Sequence, residues 1–203
     1  MTRALVVTLT FLPALALAQG KTLKDKEEIK FNEIERGFTM GGAAGYWGFF
    51  NSPGANRPYA GGLTARLDIG YDFGERVVGG IMLQASSNHP DNGSAYLGTT
   101  GTSASGDYSE LMPGIAVKVN LVGFNDNQDV KRLWVYVRGS AAAGLYFPKT
   151  LIDKFDLMIQ GGAGIEYVTK LRHFALGLEA NFVLMALTGT FGLSVTPTLR
   201  YSF

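Results

Sequence analysis

A period of two runs through most of this chain. Residues 191 to 203 set Phe191, Leu193, Val195, Pro197, Leu199, Tyr201 and Phe203 against Gly192, Ser194, Thr196, Thr198, Arg200 and Ser202, so one face is apolar without interruption. Such alternation puts successive side chains on opposite faces of a strand, and a chain built on it is committed to sheet. Aromatic residues at Tyr201 and Phe203 suit a final strand that ends at a bilayer interface, and they read as a barrel assembly signal.

The pattern recurs often enough to count strands. Candidates lie at residues 37–50, 59–72, 76–87, 107–122, 132–147, 155–168, 173–187 and 191–203, with turn-rich stretches such as NSPGANRP between them. Leu63, Ala65, Leu67, Ile69 and Tyr71 oppose Thr64, Arg66, Asp68, Gly70 and Asp72; Ile115, Val117 and Val119 oppose Ala116, Lys118 and Asn120. Eight is an even number, as single-chain bacterial barrels require, so residues 37–203 are predicted to form an all-β, eight-stranded antiparallel transmembrane outer-membrane β-barrel. The links near 73–75 and 169–172 are short, whereas those at 51–58, 88–106 and 148–154 are longer. Short turns belong on the periplasmic side, which predicts that both mature termini are periplasmic. Two links fit less well: 123–131 is long for a turn and 188–190 is short for an outer loop.

A soluble eight-stranded barrel such as a lipocalin shares the period with its faces reversed. The polar face separates the two, because it is rich in Gly, Ala, Ser and Thr with isolated charges, unlike a solvated surface. Aromatics near the strand ends suggest two girdles: Tyr71, Phe73, Tyr167, Phe174, Tyr201 and Phe203 at one rim, and Trp47, Phe49, Tyr59, Phe147 and Phe155 at the other.

The N-terminus points to export. Arg3 precedes the apolar run Ala4 to Leu12, broken at Pro13 and followed by Ala16-Leu17-Ala18, so residues 1–18 read as a signal peptide and Gln19 as the mature start. Residues 19–36 form a charged periplasmic segment in which Leu23, Phe31 and Ile34 can share one flank of a short helix, a candidate partner-binding segment. The net charge of +1 implies no nucleic-acid partner, and the absence of cysteine leaves no disulfide or thiolate site. No zinc-ligand spacing or phosphate-cradling loop occurs, so neither a metal nor another cofactor is expected.

The candidate lumenal charges are Arg66, Asp68, Lys118, Arg138, Glu166, Glu179 and Arg200, four positive and three negative. Buried charges must pair, and an eight-stranded interior is just filled by side chains, so an ion-pair network is expected. The alternatives are a narrow polar conduit or a carboxylate pair for catalysis. A tight turn between the sixth and seventh strands would offset Glu166 and Glu179 by about four positions, too far at ~3.4 Å per residue for a shared proton. An enzyme acting on membrane lipid would need a histidine, a serine and an acid near the outer rim. His89 with Ser86, Ser87 and Asp91 falls in that region, on a Gly/Ser-rich loop, and His173 falls at the opposite rim. Neither makes a strand-held constellation, so no catalytic residues are assigned.

Three stretches carry a resemblance: QGKTLKDKEEIKFNEIERGF (Gln19 to Phe38), VKRLWVYVRG (Val130 to Gly139) and KLRHFALGLEANFVLMALTGTFGLSVTPTLRYSF (Lys170 to Phe203). They look like the adventurous gliding motility protein CglE family of gliding bacteria, over most of the chain. The resemblance implies a non-enzymatic outer-membrane component of a motility machine, transferable between cells, in contact with outer-membrane lipid and with periplasmic and outer-membrane motility proteins. A small structural or adhesive barrel unrelated to motility and a lipid-modifying enzyme are the other readings.

Overall fold

The computed structural model describes residues 36–51, 61–89, 96–97, 103–104, 108–147, 155–171 and 173–203. The predicted signal peptide and the candidate segment bearing Leu23, Phe31 and Ile34 lie outside these residues, as do Tyr59 and Asp91. The alternating stretches form β1 (Phe38–Asn51), β2 (Gly61–Phe73), β3 (Val77–His89), β6 (Tyr108–Asn125), β7 (Lys131–Phe147), β8 (Asp156–Val168), β9 (Phe174–Met185) and β10 (Thr190–Ser202). Two further strands, β4 (Tyr96–Leu97) and β5 (Ser103–Ala104), pair only with each other.

Each long strand pairs antiparallel with its neighbour in sequence, and β1 pairs with β10 to close an eight-stranded barrel. Closure removes the edges that would otherwise leave unpaired backbone groups in a hydrocarbon solvent. Large apolar side chains face outward on every strand: Leu63 is 70% exposed, Ile81 61%, Ile115 63% and Val195 51%. Water would penalise such a surface, so the barrel is one that lipid covers.

At the rim where β1 begins and β10 ends, called the terminal rim, Phe38, Tyr71, Phe73, Phe174, Tyr201 and Phe203 face outward, and their rings meet edge to face, with Tyr201 and Phe203 centroids 4.9 Å apart. The opposite, distal rim differs from the sequence expectation. Trp47 is fully buried and Phe49 packs beside it inside the barrel, because odd-numbered residues of β1 point inward; Tyr46 and Phe50 face outward instead. Phe147 and Phe155 are exposed as expected.

The two awkward links resolve in the strands themselves. Strand β6 continues to Asn125, so the connection shrinks to Asp126–Val130, whose chain reverses around the Asp126 carboxylate and the left-handed Asp129 (φ 58°). A register shift near Leu121 lets Leu121 and Val122 both face outward. The short distal link between β9 and β10 is held from inside. Asp156 Oδ1 accepts from the Leu157 and Leu187 N–H groups at 2.7 and 2.8 Å, and its Oδ2 from Thr188 Oγ1 at 2.7 Å.

Two prolines interrupt the ladder. Residues 112–113 form no bridge with 143–144, and 196–197 none with 44–45, although the register continues unbroken on both sides. Pro113 and Pro197 occupy positions whose missing N–H would have bonded β7 and β1 respectively. The barrel therefore has two seams short of a hydrogen bond, one of them the seam that closes it.

Candidate functional site

Inward-facing residues of the eight strands divide the lumen into layers. Nearest the termini, Glu166 accepts from Lys118 Nζ at 2.9 and 3.0 Å and from Arg200 Nη2 and Nε at 2.7 and 3.2 Å. Arg200 Nη1 also donates to Asp72 Oδ2 at 3.3 Å. In the middle layer, Glu179 accepts from Arg66 at 2.8 and 3.4 Å, from Tyr136 Oη at 3.1 Å and from Asn181 Nδ2 at 2.7 Å. Arg66 and Arg138 share Asp68, at 2.8 and 2.7 Å.

The structure thus gathers all seven charges singled out from the sequence into two adjoining clusters. Asp72 was missed as a member, and its inclusion balances the count at four cations and four anions. Its inward parity on β2 was a usable signal, since it shares a face with Arg66 and Asp68. Tyr136 carried the same signal, since it shares the inward face of β7 with Arg138; Gly164, opposite both Tyr136 and Glu179 on the intervening β8, leaves room for its ring to reach Glu179 on β9.

The offset between the two glutamates requires correction. Glu179 lies opposite Gly164 and Glu166 opposite Gly177, an offset of two residues rather than four. The turn is wider than expected, closed by the Thr169 N–H to Phe174 carbonyl bond. Each glutamate still belongs to its own set of cations, and neither forms a carboxyl–carboxylate pair. A cavity of about 80 Å³ lies between the clusters, lined by Arg66, Lys118, Tyr136, Arg138 and Arg200 among others. Nη1 of Arg138, 3.8 Å from Glu179 Oε1, has no hydrogen-bond partner among the described residues, and the cavity has room for several waters to supply one.

Toward the distal rim the lumen becomes apolar. Trp47, Met112, Met158, Val183 and Met185 are buried in contact with Tyr108, Ala142 and Tyr146. Polar chains cross this layer: Trp47 Nε1 donates to Asn88 Oδ1 at 2.7 Å, Asn88 Nδ2 to Ser86 Oγ at 3.0 Å and Ser86 Oγ to Glu110 Oε2 at 3.4 Å, while Ser140 Oγ donates to Gln160 Oε1 and Gln160 Nε2 to Ser194 Oγ, each at 3.2 Å. Glu110 and Asp156 are buried carboxylates that the sequence reading passed over.

The serines named with His89 do not share a face. His89 ends β3 rather than sitting on a loop, and Ser86 faces the lumen while Ser87 faces outward, so the two serines cannot serve one site. His173 places Nδ1 2.7 Å from the Ser202 carbonyl and stacks on Tyr201, which fastens the last strand at the terminal rim. At the same rim Arg132 Nε donates to Asp126 Oδ2 at 2.6 Å, and this bond holds the Asp126 carboxyl below its ordinary value.

Comparison with family models and with characterised proteins returns no match. The solved structures do. Neisserial surface protein A superposes with a TM-score of 0.60 at 13% identity, over 84% of this chain and 100% of its own. The outer membrane protein OprG from Pseudomonas aeruginosa gives 0.50 at 11% identity, over 83% and 97%. The outer membrane enzyme PagL gives 0.42 at 10%, over 81% and 99%. At these identities the likeness is one of fold alone. The chain has the fold of eight-stranded outer-membrane barrels.

Proposed function

We propose that this protein is a non-enzymatic outer-membrane barrel that serves as a component of a bacterial gliding apparatus. Export by residues 1–18 would deliver it with both mature termini in the periplasm, where the segment from Gln19 to Arg36 would meet a periplasmic motility protein. The observation that supports the non-enzymatic part is how the interior is used: apart from the cavity of about 80 Å³ between the two ion-pair clusters, the inward side chains of the described residues engage one another. Motility itself rests on the likeness of Gln19–Phe38, Val130–Gly139 and Lys170–Phe203 to the gliding family.

The test is a gene deletion scored on single cells. Loss of gliding with unchanged lipid A supports the reading, and rescue should fail when residues 21–35 are removed while the barrel still inserts. Normal gliding would leave a structural or adhesive barrel, and altered lipid A would make it an enzyme. Porin-like currents from the purified barrel in planar bilayers would overturn the filled interior.

A further inference from the structure

Two buried carboxylates at the distal end of the lumen stand apart from the ion-pair clusters. Glu110 on β6 and Asp156 on β8 are each 1% exposed. On the strand between them, Asp156 lies opposite Gly144, and Glu110 lies opposite Tyr146, the next inward residue. No cation among the described residues pairs with either carboxylate, and the charge acting on Glu110 is that of Asp156. Buried charges persist where something pairs with them, and here the protein supplies two of the same sign.

The two are not equally provided for. Asp156 accepts two hydrogen bonds at Oδ1 and one at Oδ2. Ser86 and Tyr146 are the donors within reach of Glu110, and they leave its Oε1 buried with no hydrogen bond at all. That oxygen is aimed over the bare backbone of Gly144. A Cβ there would have Glu110 Oε1 at 2.5 Å and the Asp156 carbonyl oxygen at 3.5 Å as its nearest neighbours, so glycine keeps open a space on which both oxygens converge. A water in that space would satisfy Oε1 and leave both charges uncompensated; a cation does both. The available donors are all oxygen: Glu110 Oε1, the Asp156 carbonyl, and Asp156 Oδ2, which keeps a lone pair after accepting from Thr188. Calcium takes irregular sets of oxygens at roughly 2.3–2.6 Å, whereas magnesium demands a near-ideal octahedron. No third acidic or imidazole side chain joins the pair among the described residues, so waters complete the shell and the affinity belongs to the weak, submillimolar-to-millimolar class.

We propose that Glu110 and Asp156 hold one calcium ion over Gly144, at the distal end of the lumen. The ion supplies the countercharge that the barrel itself lacks there and ties β6 to β8 across β7. The site is independent of the motility reading.

Terbium luminescence of the folded protein in zwitterionic detergent, with calcium as competitor, tests the site. Trp47 connects to Glu110 through Asn88 and Ser86 and is placed to sensitise a bound ion, whereas Trp134 lies in a separate cluster toward the terminal rim. Emission should saturate at one ion per barrel, fall as calcium is added, and survive Trp134→Phe. Glu110→Gln should weaken terbium binding about tenfold or more, and so should Gly144→Ala, which retains both carboxylates. Asp129→Asn, at an exposed acid of the terminal rim, should leave binding unchanged. Urea unfolding separates a bound ion from a bound proton. In chelator, Glu110→Gln should be more stable than wild type, because it deletes an uncompensated charge; calcium should raise the wild-type midpoint and leave that of the variant unmoved. If a variant fails to insert, the calcium dependence of the wild-type midpoint and its terbium stoichiometry decide alone. No sensitised emission, binding undiminished in Glu110→Gln, displacement by magnesium equal to that by calcium, or a wild-type midpoint indifferent to calcium would each overturn the site.

Discussion

Removing the carboxylate of Glu179 probes the middle cluster most directly. Glu179 is 1% exposed and is the acceptor for Arg66, Tyr136 and Asn181, with Arg138 Nη1 3.8 Å away. In Glu179→Met, two arginines are left to share Asp68, and the Tyr136 hydroxyl loses its acceptor. Breaking a buried pair from one side costs about 3 to 5 kcal/mol, mostly because the surviving charge stays desolvated. The adjoining cavity of about 80 Å³ admits water that rehydrates part of that charge, which favours the lower end, about 3 kcal/mol. Removing both partners reverses most of the penalty, since an apolar pair of similar volume is often neutral. Arg66→Met with Glu179→Met should thus lie within about 1 kcal/mol of wild type, the remainder coming from the orphaned Tyr136 hydroxyl. The assay is urea unfolding in lipid vesicles, read by gel mobility without boiling. A single variant within about 1 kcal/mol of wild type, or a double variant no more stable than the single, would refute the argument that these charges stabilise one another structurally.

Three further outcomes follow from other parts of the barrel. A Cβ at Gly80 would sit on the Ile69 carbonyl oxygen, whereas one at Gly161 meets nothing within 4 Å; Gly80→Ala should sharply reduce folded barrel in the membrane fraction and Gly161→Ala should not. Asp156→Ala removes three bonds from the distal end of β8 and the turn after β9. It should cost about 1 to 3 kcal/mol for each donor left buried and speed proteolysis within residues 186–189. The Arg132 bond and the Gln128 and Val130 N–H groups depress the Asp126 carboxyl in the folded protein. Its stabilisation is complete above the unfolded aspartate value of about 3.9 and is lost as pH falls through the lower folded value. Asp126→Asn should lower the urea midpoint at neutral pH and converge with wild type once the acid limb is passed; a constant gap at all pH values would refute that linkage.

Strand number, the facing of nearly every residue beyond β1, and membership of the charged set were legible because the pleat repeats every two residues whatever the neighbours are. The apolar parity of residues 63–71, 133–137 and 191–203 is fixed locally, and it carries Arg66, Arg138 and Arg200 inward without reference to the rest of the chain. Strand β1 defeated that logic. Its Gly-rich run GGAAGYWGFF has aromatics on both parities, so only the packing of Trp47 against Met112 and Met158 decides which side is inside. Pairing within the lumen was equally beyond local reading. Arg66 and Glu179 are 113 residues apart, and they meet because β10 closes on β1 and the strands stagger around the axis by an amount no single strand encodes. The width of the turn at 169–173 set the offset of Glu166 and Glu179 in the same way. The sequence determined which side chains share the interior; closure and register determined which of them touch, because those depend on all eight strands at once.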